Sequence, residues 1–191
     1  MERTYFTDKL YEKINFAETS FPIGDYENCK FISCNFLNVA LSGSRFSECE
    51  FSGCNLGMAN LVKTAFKDIR FKNCKLLGLH FENCDQFLFL ASFDECSLRL
   101  SSFYQMKLQR TKFDNCGLQE VDFTETDLNN AVFNKCDLSG AIFDNTNLEK
   151  ADLRTSYNYS INPQSNKIKR AKFSLGGVAG LLDKFDIEIE D

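Results

Sequence analysis

Counting in fives from Phe16 reaches Phe21, Tyr26, Phe31, Phe36, Leu41, Phe46, Phe51, Leu56, Leu61, Phe66, Phe71, Leu76 and Phe81, and every stop is Phe, Leu or Tyr. The run breaks at Gln86. It resumes two positions later, from Leu88 or Phe93, through Leu98, Phe103, Leu108, Phe113, Leu118, Phe123, Leu128, Phe133, Leu138, Phe143, Leu148 and Leu153. Two residues before each of these centres stands a smaller side chain: Cys34, Val39, Ser44, Cys54, Ala59 and Thr64, later Ala131, Cys136, Ala141 and Thr146. The other three positions of each five are mostly polar. Helices repeat apolar positions every 3.6 residues and strands every 2, so a period of five fits neither. Two positions in and three out make each unit a short straight piece that ends in a corner. The pattern predicts an all-β solenoid.

Units such as Ala151-Asp152-Leu153-Arg154-Thr155 and Thr126-Asp127-Leu128-Asn129-Asn130 resemble the A(D/N)LXX motif of the pentapeptide-repeat family. The resemblance covers about residues 14 to 155. It implies a right-handed quadrilateral β-helix with four repeats to a coil. The cysteines agree with four sides. Cys34, Cys54 and Cys74 are twenty apart, as are Cys96, Cys116 and Cys136, and the gap between the two sets is twenty plus the two-residue shift. All six then stack on one face, with Cys29 and Cys49 on its neighbour. The repeat count gives about seven coils, a rod roughly 34 Å long at the spacing of strands in a sheet.

Open ends of such a rod expose backbone edges, so caps are expected. Residues 1–13 lie off the register and are expected to cover the first coil, ahead of a β-helix over 14–157. Residues 158–191 read as a small α/β cap. Within it, Ser160-Ile161-Asn162-Pro163 is a turn by composition and Lys167 to Phe173 a short strand. Ser174 is placed to cap a helix through about Phe185, with Leu175, Val178, Leu182 and Phe185 on one stripe. Gly176, Gly177 and Gly180 weaken a helix but permit close packing. Ile187 and Ile189 alternate with acids like an edge strand.

Composition removes several classes. No segment opens like a secretory signal or approaches the roughly 18 apolar residues of a membrane span, so no membrane partner and a cytoplasmic location are expected. Nine cysteines lie in no C-x-x-C pair, and His80 is the sole histidine, facing out beside centre Phe81. They read as structural thiols, with no metal, no cofactor and no catalytic set, hence no enzyme. A formal net charge of −5 argues against direct nucleic-acid binding. The excess is local: residues 81–160 hold thirteen acids against seven bases. Asp122, Glu125, Asp127, Asp144 and Glu149 show a loose bias to two faces and are the candidate partner-binding surface. The plainer reading is that Asp before a centre serves the turn. The basic cluster Lys63, Lys67, Arg70, Lys72 and Lys75 reads as a solvated surface.

The stretch from Ile161-Asn162-Pro163 to Ile189, through Leu181-Leu182, resembles the ends of the quinolone-resistance and microcin-immunity members of the same family. That resemblance implies a homodimer through Leu175, Val178, Leu182, Phe185, Ile187 and Ile189. It also implies an acidic, DNA-like rod that engages DNA gyrase or topoisomerase IV and gives immunity or drug protection. A general protein-interaction scaffold is the alternative. The short segment Asn83 to Leu90 offers Phe87 and Phe89 as protruding residues where the resistance proteins carry long loops.

Overall fold

The computed structural model describes residues 3–87 and 89–188. The chain winds as a solenoid of parallel rungs in which residues twenty apart are neighbours. Face 1 carries β1 (Tyr5–Thr7), β3 (Asp25–Glu27), β5 (Arg45–Ser47) and β7 (Ala65–Lys67), paired in that order. Face 2 carries β2 (Leu10–Glu12), β4 (Lys30–Ile32), β6 (Glu50–Ser52), β8 (Ile69–Lys72), β9 (Ala91–Asp94), β10 (Lys112–Asp114) and β11 (Val132–Asn134). Faces 3 and 4 are held by single bridges, Asn15 to Asn35 to Asn55 on face 3 and Ser102 to Asp122 to Ile142 on face 4. The seven strands of face 2 cover six turns, close to the seven coils expected, and bridges from Val132 to Asp152 to Lys172 carry that face further.

The centres make the core. Their rings stack from coil to coil, Phe31 on Phe51 at 4.7 Å, Phe93 on Phe113 at 5.1 Å and Phe113 on Phe133 at 5.0 Å. These distances track the roughly 4.8 Å between strands, so one repeat satisfies ring packing and backbone bonding together. Corners form two residues after a centre, where the backbone turns left-handed: Asn38 at φ 58°, Met58 at 55°, Asn130 at 58°. That conformation costs a non-glycine residue about 1–2 kcal/mol. A bond to the next coil offsets it: Asn38 N–H donates to the Gly57 carbonyl at 3.0 Å and Met58 N–H to that of Leu77 at 2.9 Å.

The smaller inward position has its own rule. Cys54 donates its thiol to the Phe31 carbonyl at 3.2 Å, Cys74 to that of Phe51 at 3.2 Å and Cys136 to that of Phe113 at 3.4 Å. Thr64, Thr126 and Ser156 make the same bond with a hydroxyl, to Leu41, Phe103 and Phe133. The site takes a short side chain, and where that side chain carries a donor it makes this bond; Val39, Ala59, Ala131 and Ala141 fill the same position without one. All nine cysteines are free and buried.

Four expectations change. Residues 5–12 are in register, with Phe6 opposite Tyr26 and Tyr11 opposite Phe31. Their rings stack at 4.6 Å and 4.8 Å, so this segment is a first coil whose aromatic centres cover the column. Lys9 stands at the small inward position two residues before Tyr11 and departs from the pattern, whereas Thr4, two before Phe6, fits it. At the break, Phe93 pairs with Phe71 and only Phe87 protrudes, 79% exposed. Phe89 turns inward between Phe66 and Phe81, edge-on to both, and fills the place that Gln86 cannot. Leu88 lies outside the described residues. At the C-terminus, Lys167 and Lys172 bridge to Asn147 and Asp152, so the expected strand is a last coil.

The helix that follows is not α. It is 3-10 over Leu175–Leu181 and again over Asp183–Phe185. Ser174 caps it as expected, accepting from Gly177 N–H at 3.1 Å. Three glycines in seven residues disfavour an α-helix. Tyr159 fixes the path, because a Cβ on Gly177 would lie 2.0 Å from its hydroxyl and one on Gly180 2.0 Å from its carbonyl.

Candidate functional site

The five acids of the candidate surface sit on faces 4 and 1 of adjoining coils, and the fold gives them unequal roles. Asp122 accepts Thr124 N–H at 2.8 Å and Asp127 accepts Asn129 N–H at 3.1 Å. Asp137 and Asp152 accept in the same way from Ser139 and Arg154. Asn35, Asn55, Asn60 and Asn147 do this with a neutral amide. In these Asp and Asn residues, each just before a centre, the side-chain oxygen closes a local turn, and charge is not the requirement. Asp127 is further tied to Asn147 Nδ2 at 2.8 Å and Gln109 Nε2 at 2.6 Å.

Glu125, Asp144 and Glu149 make no such turn. Glu125 accepts from Gln105 at 2.7 Å and Asp144 from Asn145 at 3.2 Å. None of the five acids forms an ion pair among the described residues. The two faces differ in their surroundings. On face 4, the segments 101–106, 121–126 and 141–146 hold Asp122, Glu125 and Asp144 and no Lys or Arg. On face 1, Lys107 stacks on Asp127, and Lys150, Lys167, Lys169 and Arg170 interleave with Glu149. Elsewhere acids are paired outright, Glu120 with Arg99 at 2.8 Å and Asp152 with Arg154 at 2.7 Å. The Arg154 guanidinium holds the Asp152 carboxyl below its ordinary range.

The basic cluster is not brought together as one patch. Arg70 and Lys72 lie on face 2, Lys67 on face 1 and Lys75 on face 3, so the charges wind around a coil. His80 is exposed and meets Glu82 at 2.8 Å. No group of three or more His, Cys, Asp and Glu side chains among the described residues could hold a metal ion. No helix among them is long and apolar enough to cross a membrane.

The C-terminal end presents Leu175 at 93%, Val178 at 38%, Phe185 at 46% and Ile187 at 55% exposure, with Leu182 half-buried. Ile189 lies outside the described residues. The residue missed in the sequence is Tyr159, which anchors this end. Its signal was the spacing of Gly177 and Gly180, one 3-10 turn apart.

These features agree with comparison to known proteins. A family profile described as "Pentapeptide repeat region" matches residues 24–86 and 79–153, and the chain belongs to the pentapeptide-repeat family. No curated protein sequence matches it. Among solved structures it is similar to HetL from the cyanobacterium Nostoc sp., a pentapeptide repeat protein involved in heterocyst differentiation regulation. That match has a TM-score of 0.60 and 16% identity over 91% of this chain and 85% of HetL. It is also similar to QnrB1, a plasmid-mediated fluoroquinolone resistance protein, with TM-score 0.47 and 19% identity over 96% of this chain and 100% of QnrB1. At these identities the likeness concerns the fold.

Proposed function

We propose that the chain is a non-enzymatic interaction rod, a scaffold that holds a partner protein on its outer columns. The carrying observation is the use of acids as turn residues interleaved with Lys and Arg on face 1, which spreads charge as a scaffold does. Glu125, Asp144 and Glu149, free of turn duty, are its acidic contact points, and Leu175, Val178, Leu182, Phe185 and Ile187 pair two copies end to end. Nine free thiols suit a reducing compartment such as the cytoplasm. Affinity capture from the source cell tests the reading. A partner held by the native chain and lost by Asp144→Lys with Glu149→Lys supports it; nothing held above background contradicts it.

A second reading is an acidic DNA-like rod that binds DNA gyrase or topoisomerase IV and protects against a drug. It is favoured by the cation-free strip of Asp122, Glu125 and Asp144 on face 4. A supercoiling assay with and without a quinolone tests it, with inhibition or rescue as the supporting result.

A further inference from the structure

One edge of the rod is apolar on its outside. Stacking places Leu37, Gly57 and Leu77 in one column of face 3, and Asn38, Met58, Gly78 and Leu100 in the column at the corner beside it. Val62 follows on face 4. Leu37 is 40% exposed, Leu77 41%, Val62 43%, Leu100 50% and Met58 56%. The columns are continuous: a Cβ on Gly57 would lie 3.4 Å from Leu37 Cδ1 and 3.8 Å from Leu77 Cβ, and the Met58 sulfur lies across Gly78. The segments 34–43 and 54–62 that build the first two coils of this edge contain no charged residue, in a chain that is 26% charged. Arg99, paired with Glu120, follows Leu77 in its column, and Glu82, paired with His80, follows Val62. Lys75 on face 3 and Lys63 at the far corner of face 4 flank the strip. Neither is ion-paired among the described residues.

Single exposed leucines need no explanation, and a strip this narrow lies below the few hundred Å² of a large exposed patch, so it offers a contact only to one slender element. The size of the strip limits its occupant. From Leu37 to Leu100 it climbs three coil steps, about 14 Å. Two columns of that height cover on the order of 150 Å², against about 800 Å² per partner in a stable complex of two globular surfaces. That rules against a second copy and suits one helix. A helix laid along the rod rises about 1.5 Å per residue, so apolar residues three or four apart stand about 5 Å apart, one to each coil. The flanking lysines favour acids on either side of such a stripe.

We propose that this edge receives one amphipathic α-helix of a partner protein, with an apolar stripe at i, i+3 or i+4 and i+7 and acidic flanks. The proposal rests on the scaffold reading and names the partner's chemistry.

The chain has three methionines, and Met106 is buried at 1%, so Met58 is a reporter with an internal reference. Two synthetic five-turn helical peptides share one leucine stripe, one flanked by Glu and the other by Lys. Each is titrated into the intact chain labelled with 13C at the methionine methyls. The expected result is a shift of Met58 alone, with the Glu-flanked peptide binding at least tenfold tighter. Leu77→Glu, or separately Val62→Glu, weakens binding at least tenfold while the melting temperature holds. The proposal is overturned if Met58 does not move at millimolar peptide, if both peptides bind alike, or if neither substitution matters. It is also overturned if Met58 shifts with the chain's own concentration, or with phosphatidylserine vesicles in place of peptide. Any of these leaves the scaffold reading standing, since that reading is tested through Asp144 and Glu149 on other columns.

Discussion

The Cys116 thiol donates to the carbonyl of Phe93, 3.5 Å away on the neighbouring coil. Thr126 makes the equivalent bond to Phe103 at 2.7 Å with a hydroxyl. Cys116→Ser keeps the donor and the volume, so its stability should stay within about 1 kcal/mol of the native chain. Cys116→Leu overpacks the corner and should cost about 1–3 kcal/mol. Urea denaturation of both variants checks the pair; equal losses would mean that donor and size do not set this position.

Burial also fixes a pH dependence. It pushes the Cys49 thiol from its ordinary 9.0 up to about 12, and it raises that of Cys84 as well, with Glu82 and Asp85 adding to the effect. For Cys49 and Cys84 the unfolded thiols ionise first, near their ordinary value, while the folded ones stay neutral. Stability is therefore full below about pH 9 and falls as pH climbs toward 12, by about 1.4 kcal/mol per pH unit for Cys49 alone. Melting temperatures measured across that window should fall, and Cys49→Ala should fall less steeply. A flat profile would show that the thiols are not held neutral.

The register break separates two phenylalanines three letters of sequence could not. Phe87→Ala should leave the melting temperature unchanged, since the ring is 79% exposed. Phe89→Ala opens a hole between Phe66 and Phe81 and should cost about 3 kcal/mol. Thermal unfolding of the two variants decides, and a reversed order would mean the rings are exchanged.

At the first coil, a Cβ on Gly24 would lie 2.5 Å from the Thr4 carbonyl and 2.9 Å from the Phe6 ring. Gly24→Ala should lift residues 4–12 off the stack and leave the later coils intact. Hydrogen exchange mapped by mass spectrometry should show faster exchange in that peptide alone. Unchanged protection there would contradict an in-register first coil.

The repeat made most of this architecture legible, because a centre every five residues leaves little choice of what faces inward. Its failures are local and physical. Phe6 and Tyr11 keep the period, but Lys9, two residues before Tyr11, breaks the small-residue rule. Leu175, Val178, Leu182 and Phe185 keep α spacing in the sequence, whereas Tyr159 and three glycines hold the segment at 3-10. The surface was less legible because its neighbours are twenty residues apart: Leu37, Met58 and Leu77 look like scattered hydrophobics until the coils are stacked. The acids were partly legible: Asp122 and Asp127 stand just before centres Phe123 and Leu128 and close turns to Thr124 and Asn129, whereas Asp144 and Glu149 stand just after Phe143 and Leu148 and do not.

The measurement that bears most directly on the scaffold claim is DNA gyrase supercoiling, with and without a quinolone, titrated with the purified chain. If charge here serves turns and a scaffold surface, supercoiling and drug sensitivity stay unchanged at tens of micromolar. Inhibition or drug rescue that disappears with Glu125→Lys and Asp144→Lys, in a variant that remains folded, would contradict that account and establish the rod as a DNA mimic.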